Sequence, residues 1–253
     1  MSILAFATFV FIATFLAAVL GFQLQSFLPG RYTDGATGGQ VKVVLGMLSM
    51  LTSVVLGFVT AEAKNSFDDA SKIVADTAVR LVSIDRVLAD FGTESAGIRS
   101  KIKQAAEEWI TSINSNAGDR SADLQVVQRG DELENLHDEI KALKTSSDAL
   151  AKDQARAIDL AAGILHDRWV LATDRAASTP SIFLFVVLAW LALEFFIFGL
   201  FASRNVLVAG TTFFAALTVA SAIFLVLDLE GPMSGPMRVS TKALERAVAI
   251  MGH

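Results

Sequence analysis

The sequence predicts an all-α fold: four membrane-spanning helices around a helical, coiled-coil-like cytoplasmic domain. Three observations carry this expectation. Charge is segregated, with residues 62–180 holding 15 of the 21 Lys and Arg and 21 of the 26 Asp and Glu, while both ends are nearly uncharged. The chain is 53% hydrophobic with a mean hydropathy of +0.52, above the ~45–50% apolar content usual in a soluble protein. Four stretches reach the ~20 apolar residues that a helix rising ~1.5 Å per residue needs to cross a ~30 Å hydrocarbon core. These runs are continuous, whereas the strands of a membrane barrel would alternate. The absence of cysteine excludes disulfides, a thiol nucleophile and a thiolate metal site. A net charge of −5 argues against a nucleic-acid partner.

The spans follow in order. Ile3–Phe22 is uncharged, is preceded by no Lys or Arg, and is too long for the core of a signal peptide, so it reads as an uncleaved anchor. Val43–Ala61 is uncharged, with Lys42 at its mouth; Ser181–Ala202 carries Glu194; Asn205–Leu227 carries no charge. Between the first two spans, Leu28–Gln40 contains Gly30, Gly35, Gly38 and Gly39 and reads as a hairpin turn. Only Ser203 and Arg204 separate the last two spans. Two hairpins put both termini and the middle on one membrane face. Near the span ends, that face carries Lys64, Lys72, Arg80, Arg168, Arg175, Arg238, Lys242 and Arg246, against Arg31, Lys42 and Arg204 in the short loops. Positive charge marks the inside, so the middle and the termini are expected in the cytoplasm. The expected divisions are 1–61, a first transmembrane hairpin; 62–180, the cytoplasmic domain; 181–227, a second hairpin; and 228–253, a tail with a short helix.

The middle reads as helix throughout. Thr60-Ala61-Glu62-Ala63 offers no breaker, so the second span should run on into the cytoplasm. Ile73, Thr77, Leu81, Ile84, Leu88 and Phe91 then mark its buried face, and Gly92 ends it. A second helix begins at Thr93, buries Ile98, Ile102, Ala105, Trp109 and Ile113, and closes at Asn116 to Gly118. A third, the longest, carries a heptad through Leu136, Ile140, Leu143, Leu150, Ala157, Ile164 and Leu171, whose second seam lapses to Ser147, Gln154 and Arg168. That pattern describes a packed amphipathic helix more than a strong dimeric coiled coil. Ser178-Thr179-Pro180 reads as a cap and first-turn proline that restart the chain as the third span.

No catalytic motif is present: no phosphate loop, no GxSxG, no HExxH and no EF-hand pattern. No enzyme activity, cofactor or metal is therefore expected. Glu134, His137 and Asp138 share part of a helical turn and read as a solvated stripe; His166 reads as a packing or interfacial residue near the membrane. Glu194 is more informative, because an intramembrane carboxyl is costly and faces protein or water. It lies 13 residues into its span, at a depth that Thr211 and Thr212 of the fourth span also reach. Two readings stand: a structural hydrogen bond to those threonines, or an ion pathway. In the second span Gly46, Ser49, Ser53, Gly57 and Thr60 recur at steps of three and four, a stripe that suits either tight helix packing or a narrow pore. Beside it Met50, Val54 and Phe58 stand one turn apart.

Ser53-Val54-Val55-Leu56-Gly57-Phe58-Val59-Thr60 resembles the second-helix stretch of bestrophin chloride channels. The chain as a whole resembles the bacterial bestrophin-like domain proteins. Further landmarks are Asp85-Arg86-Val87-Leu88 to Phe91-Gly92, Glu108-Trp109, and Leu227-Asp228 to Gly231-Pro232-Met233-Ser234-Gly235. The resemblance implies a four-span subunit of a bacterial inner membrane, in contact with lipid, that assembles with copies of itself as a ring around an axial pore for inorganic ions, a pentamer being one candidate size. It implies an apolar neck of Met50, Val54 and Phe58. The chain departs from the family in lacking the proline before the neck, where it has Leu51-Thr52, and in having only Asp228 and Glu230 where bestrophins carry an acidic calcium clasp. The expected function is a homo-oligomeric ion channel. The alternative is a non-conducting membrane scaffold or signalling subunit that binds a partner through its cytoplasmic helices. Residues 62–180 sum to −6, and Asp68, Asp69 and Asp76 follow the pore helix most closely, so a cytosolic entrance should favour cations.

Overall fold

A computed structural model describes residues 3–29, 35–115, 130–174, 181–203, 205–233 and 235–251. Among these residues the secondary structure is all helical: α1 Ile3–Gln25, α2 Gly35–Ala89, a 3₁₀ turn Gly92–Ser95, α3 Ala96–Ser115, α4 Gly130–Lys141, α5 Asp148–Asp174, α6 Ser181–Phe201, α7 Val206–Leu229 and α8 Lys242–Ile250. The helices α1, α2, α6 and α7 are long and apolar enough to cross a membrane. The chain divides into two compact units, Met1–Asn65 with Thr179–Glu230, and Ser66–Ser178 with Gly231–His253.

In the first unit α1 packs against α6 and α7. Within lipid the apolar effect gives helices no reason to associate, so close backbone approach and ring packing must do it. Both are present. A Cβ on Gly199 would overlap the carbonyl oxygen of Ala18, and one on Gly21 would overlap that of Phe196, so the backbones of α1 and α6 meet where those side chains are missing. Phe213 of α7 meets Phe11 and Phe15 of α1 edge-on, with ring centroids 5.3 and 5.8 Å apart. Asn205 caps α7 by accepting the Val208 amide at 2.8 Å.

The glycine-rich segment Gly35–Gly39 is the first turn of α2 and not the expected hairpin loop. Each helical glycine costs ~0.5–1 kcal/mol relative to alanine, but these sit at the start of a 55-residue helix, where extension of an existing helix is cheap. Gly38 is also buried, and a Cβ there would lie 3.7 Å from the Phe201 ring. Tertiary contact has overridden local propensity.

In the second unit the later half of α2 joins α3, α4, α5 and α8 around one core built from Leu81, Ile84, Leu88, Ile102, Trp109, Leu136, Ile140, Ala157, Ile164 and Leu244. As expected, α2 runs unbroken to Ala89, and Gly92, with a φ of 62° that suits glycine, opens the 3₁₀ turn that follows. Ser95 closes this corner by donating to the carbonyl of Leu88 at 2.5 Å. The expected long third helix is instead two helices, because the chain turns at Ala142–Ser147. Ser147 accepts the Leu150 amide as a cap at 3.2 Å. The reversal folds the heptad seam onto itself, bringing Leu136 and Ile140 of α4 into the same core as Ala157 and Ile164 of α5. Gln154, a lapse in the heptad, donates its side-chain amide to the carbonyls of Ile140, Lys141 and Leu143 at 2.9–3.1 Å and so satisfies the end of α4. The expected stops at Asn116 to Gly118 and Ser178 to Pro180 lie outside the described residues.

Two charged contacts fix the α2 extension. Asp85, 6% exposed, receives Arg99 through two parallel bonds of 2.7 and 2.9 Å. The hydrogen bond to Asp85 raises the Arg99 pKa above its ordinary value; burial opposes this and charge attraction adds to it. Asp167 of α5 accepts Thr77 at 2.9 Å and lies 3.3 Å from Nε of Arg80.

Candidate pore helix and its intramembrane carboxylate

Between Val43 and Ala61 the α2 helix is apolar apart from hydroxyls and carries no charge, so what matters is which way each hydroxyl points. Ser53 donates to the Ser49 carbonyl and Thr60 to the Leu56 carbonyl, both within the helix. Ser49 and Thr52 point away from it. Ser49 Oγ donates to Oε2 of Glu194 at 3.0 Å, and Thr52 Oγ1 donates to Oε1 at 2.5 Å. Both carboxylate oxygens are therefore engaged, by hydroxyls three residues apart and so on one helix face.

This corrects the expected partners of Glu194. Thr211 and Thr212 reach similar depth, but both donate to the Val208 carbonyl of their own helix. Depth along a helix is readable from residue counts. Which neighbouring helix stands opposite is not.

The Glu194 contact defines a front and a back to α2. Thr52 and Val59 are buried on the α6 side. At about 100° per residue, Met50 and Val54 fall roughly opposite them, with Phe58 beside. Met50 is 72% exposed in the single chain, Val54 49% and Phe58 73%. The small-residue stripe lies between these two faces. Ser49 is half-buried against Glu194, whereas Gly46, Ser53, Gly57 and Thr60 are exposed. A Cβ on Gly46 or Gly57 would meet no atom within 4 Å, so inside one chain these glycines serve no close approach. The glycines that do, Gly21 and Gly199, stand in α1 and α6. Regular spacing within one helix does not single them out, because this pair is split between two helices.

Asp68, Asp69 and Asp76 are exposed on the continuation of α2. His137 is half-buried and His166 exposed. Among the described residues no group of three or more His, Asp or Glu side chains is arranged to hold a metal ion.

Comparison with known proteins agrees with this architecture. The chain resembles crystal structures of a bacterial bestrophin homologue from Klebsiella pneumoniae. One, a point mutant, superposes with a TM-score of 0.68 at 16% identity over 100% of this chain and 99% of that one. A second point mutant gives 0.67 at 17% identity over 98% and 99%. The homologue phased on zinc gives 0.65 at 17% identity over 97% and 98%. No curated protein sequence matches. At these identities the likeness establishes the fold, which here extends over the whole chain. The bestrophin-like domain itself matches residues 12–244, and the protein is thus an integral membrane member of the bestrophin-like family.

Proposed function

We propose that the protein is a homo-oligomeric ion channel whose axial pore is lined by α2, with Met50, Val54 and Phe58 as an apolar neck. The observation that carries this reading is the exposure of that face. Three large apolar side chains, one turn apart, stand exposed on α2, Met50 and Val54 opposite the side that its own chain covers and Phe58 beside them. In a symmetric ring each would contribute one constriction, and a narrow apolar ring impedes ions by dewetting, without a charged barrier. Family membership supports a channel-type protein over an enzyme. The orientation argued from charge puts the second unit and both termini in the cytoplasm, with Asp68, Asp69 and Asp76 at the inner mouth. The scaffold alternative drew on a long cytoplasmic heptad; that seam is spent on an intramolecular hairpin, which leaves the alternative with less to bind through.

The test is liposome ion flux. Shrinking Val54 or Phe58 to alanine should raise flux through reconstituted protein of unchanged assembly size. A purely structural role would instead cost roughly 1–4 kcal/mol of stability and open nothing. Well-assembled Val54→Ala and Phe58→Ala proteins with flux no higher than that of the starting protein would sink the pore reading.

A further inference from the structure

The pore reading needs α2 held at one rotation, and its apolar surface supplies only non-directional contacts, with Val59 buried and Val55 packed against the core of the first unit. From Val43 to Ala61 the side chains are aliphatic, aromatic, thioether, hydroxylic or absent. Dispersion against lipid changes little as such a rod turns about its axis, and Gly46 and Gly57 make no close backbone approach of the kind that registers α1 against α6. A polar contact behaves differently, because it has a direction and a partner at fixed depth. Of the hydroxyls Ser49, Thr52, Ser53 and Thr60, two satisfy themselves on their own helix and two reach Glu194. Gly46 and Gly57 on the flank present no side chain that would resist turning.

We propose that Glu194 is the positioning residue of the neck: its carboxylate, reaching from α6 to Ser49 and Thr52, sets the rotation of α2 that turns Met50 and Val54 away from the chain's own helices. The inference rests on the pore reading and adds to it a residue that never touches the ion. Ser49 immediately precedes Met50, and Thr52 lies two residues before Val54, so a helix that is rigid over one turn transmits the constraint directly. A turn of one residue, about 100°, would replace Val54 by a neighbour on the axis. Both bonds are charge-assisted when Glu194 is ionised, the stronger class of hydrogen bond, and each fixes a different oxygen.

The chain has no cysteine, so Val54→Cys gives a single reporter thiol. Its modification rate by a water-soluble, charged methanethiosulfonate is measured on the reconstituted full-length protein. The Glu194→Ala change should slow the reaction about tenfold or more, and so should Ser49→Ala with Thr52→Val, which removes the same bonds from the other side. Glu194→Gln can still accept from one hydroxyl and donate to the other, and should keep the rate within about threefold. If Glu194→Ala does not assemble, the paired change on α2 decides. A rate indifferent to all these changes overturns the inference and leaves the pore standing. A glutamine variant as slow as the alanine also overturns it, since the residue would then supply charge and not geometry. A Val54→Cys thiol that never reacts in the otherwise unaltered protein removes the pore itself.

Discussion

The guanidinium of Arg80 lies in the space that a side chain on Gly163 would fill, so that a Cβ built there would overlap Nη1. The missing side chain on α5 lets Arg80, on the extension of α2 beyond its apolar span, settle beside Asp167. Asp167 is 7% exposed and also accepts Thr77. A carboxylate that deep needs its hydrogen bonds and its cation together. The pairing ties α2 to α5 across 87 positions of sequence, from 80 to 167.

The first prediction follows from that overlap. Gly163→Ala should destabilise the protein by about 1 kcal/mol, because the obstacle is the movable end of a long side chain. Arg80→Ala should cost about 1–3 kcal/mol by leaving Asp167 without its cation. The two should not add, since without the guanidinium the space beside Gly163 is free. Thermal unfolding in detergent of both single variants and the double variant checks this. A Gly163→Ala cost undiminished in the Arg80→Ala background would mean that the glycine is needed for something else.

A different glycine should be far less forgiving. Gly199 and Gly21 abut backbone carbonyls, of Ala18 and Phe196, which cannot swing aside. Gly199→Ala should force α1 and α6 apart at a cost of roughly 1–3 kcal/mol or more, seen as a lower melting temperature and a lower yield of assembled protein. Gly46→Ala and Gly57→Ala meet no atom of their own chain and should leave the folded subunit as stable as before. If the order is reversed, with Gly57→Ala harmful to the isolated subunit and Gly199→Ala harmless, the assignment of the close helix crossing is wrong.

Much of this architecture was legible because burial in lipid and burial in a helical core both write simple patterns. Four long apolar runs, three of them uncharged, gave the spans, and the spacing of Leu81, Ile84 and Leu88 gave the buried face of the α2 extension. The heptad shows where such reading stops. Leu136, Ile140, Ala157 and Ile164 are all buried, as their spacing required, yet periodicity says which face is buried and not against what. The reversal at Ala142–Ser147 let one seam close on itself. Its signal was local and was outweighed, in the run Thr145-Ser146-Ser147-Asp148, which offers a cap and an acidic first turn. Glu194 shows the same limit in the membrane: its depth could be counted, while the choice between α2 and α7 as neighbour depends on helix adjacency, which no spacing encodes. Gly35–Gly39 erred the other way, since glycine content argued for a loop where packing of Gly38 near Phe201 keeps a helix.

Topology rests on the excess of Lys and Arg flanking the spans on the middle and C-terminal side. A cysteine placed at Gly35 or at Arg204 should react with a membrane-impermeant maleimide added to the outside of intact cells. One placed at Ser147, in the turn before α5, should react only after the membrane is opened. The opposite pattern would put the acidic second unit outside and remove the proposed cytosolic mouth.

Ion preference should follow from the charge at that mouth. Asp68 and Asp69 lie 10 and 11 residues beyond Phe58 along one continuous helix, about 15–17 Å at ~1.5 Å per residue. That exceeds the Debye length of about 10 Å at 0.1 M salt, so these carboxylates should not act on an ion in the proposed neck. They can act on the ion concentration just below it. From Glu62 to Asp76 the exposed acidic residues Glu62, Asp68, Asp69 and Asp76 outnumber Lys64 and Lys72, and a ring of copies repeats the imbalance around one axis. Reversal potentials in a KCl gradient should therefore show potassium favoured over chloride. Replacing Asp68, Asp69 and Asp76 by asparagine should move the reversal potential towards zero. Raising the salt to about 1 M, where the Debye length falls to about 3 Å, should do the same without any mutation. A clear chloride preference at low salt, unchanged in the asparagine variant, would show that selectivity is set elsewhere and that the acidic mouth plays no part in it.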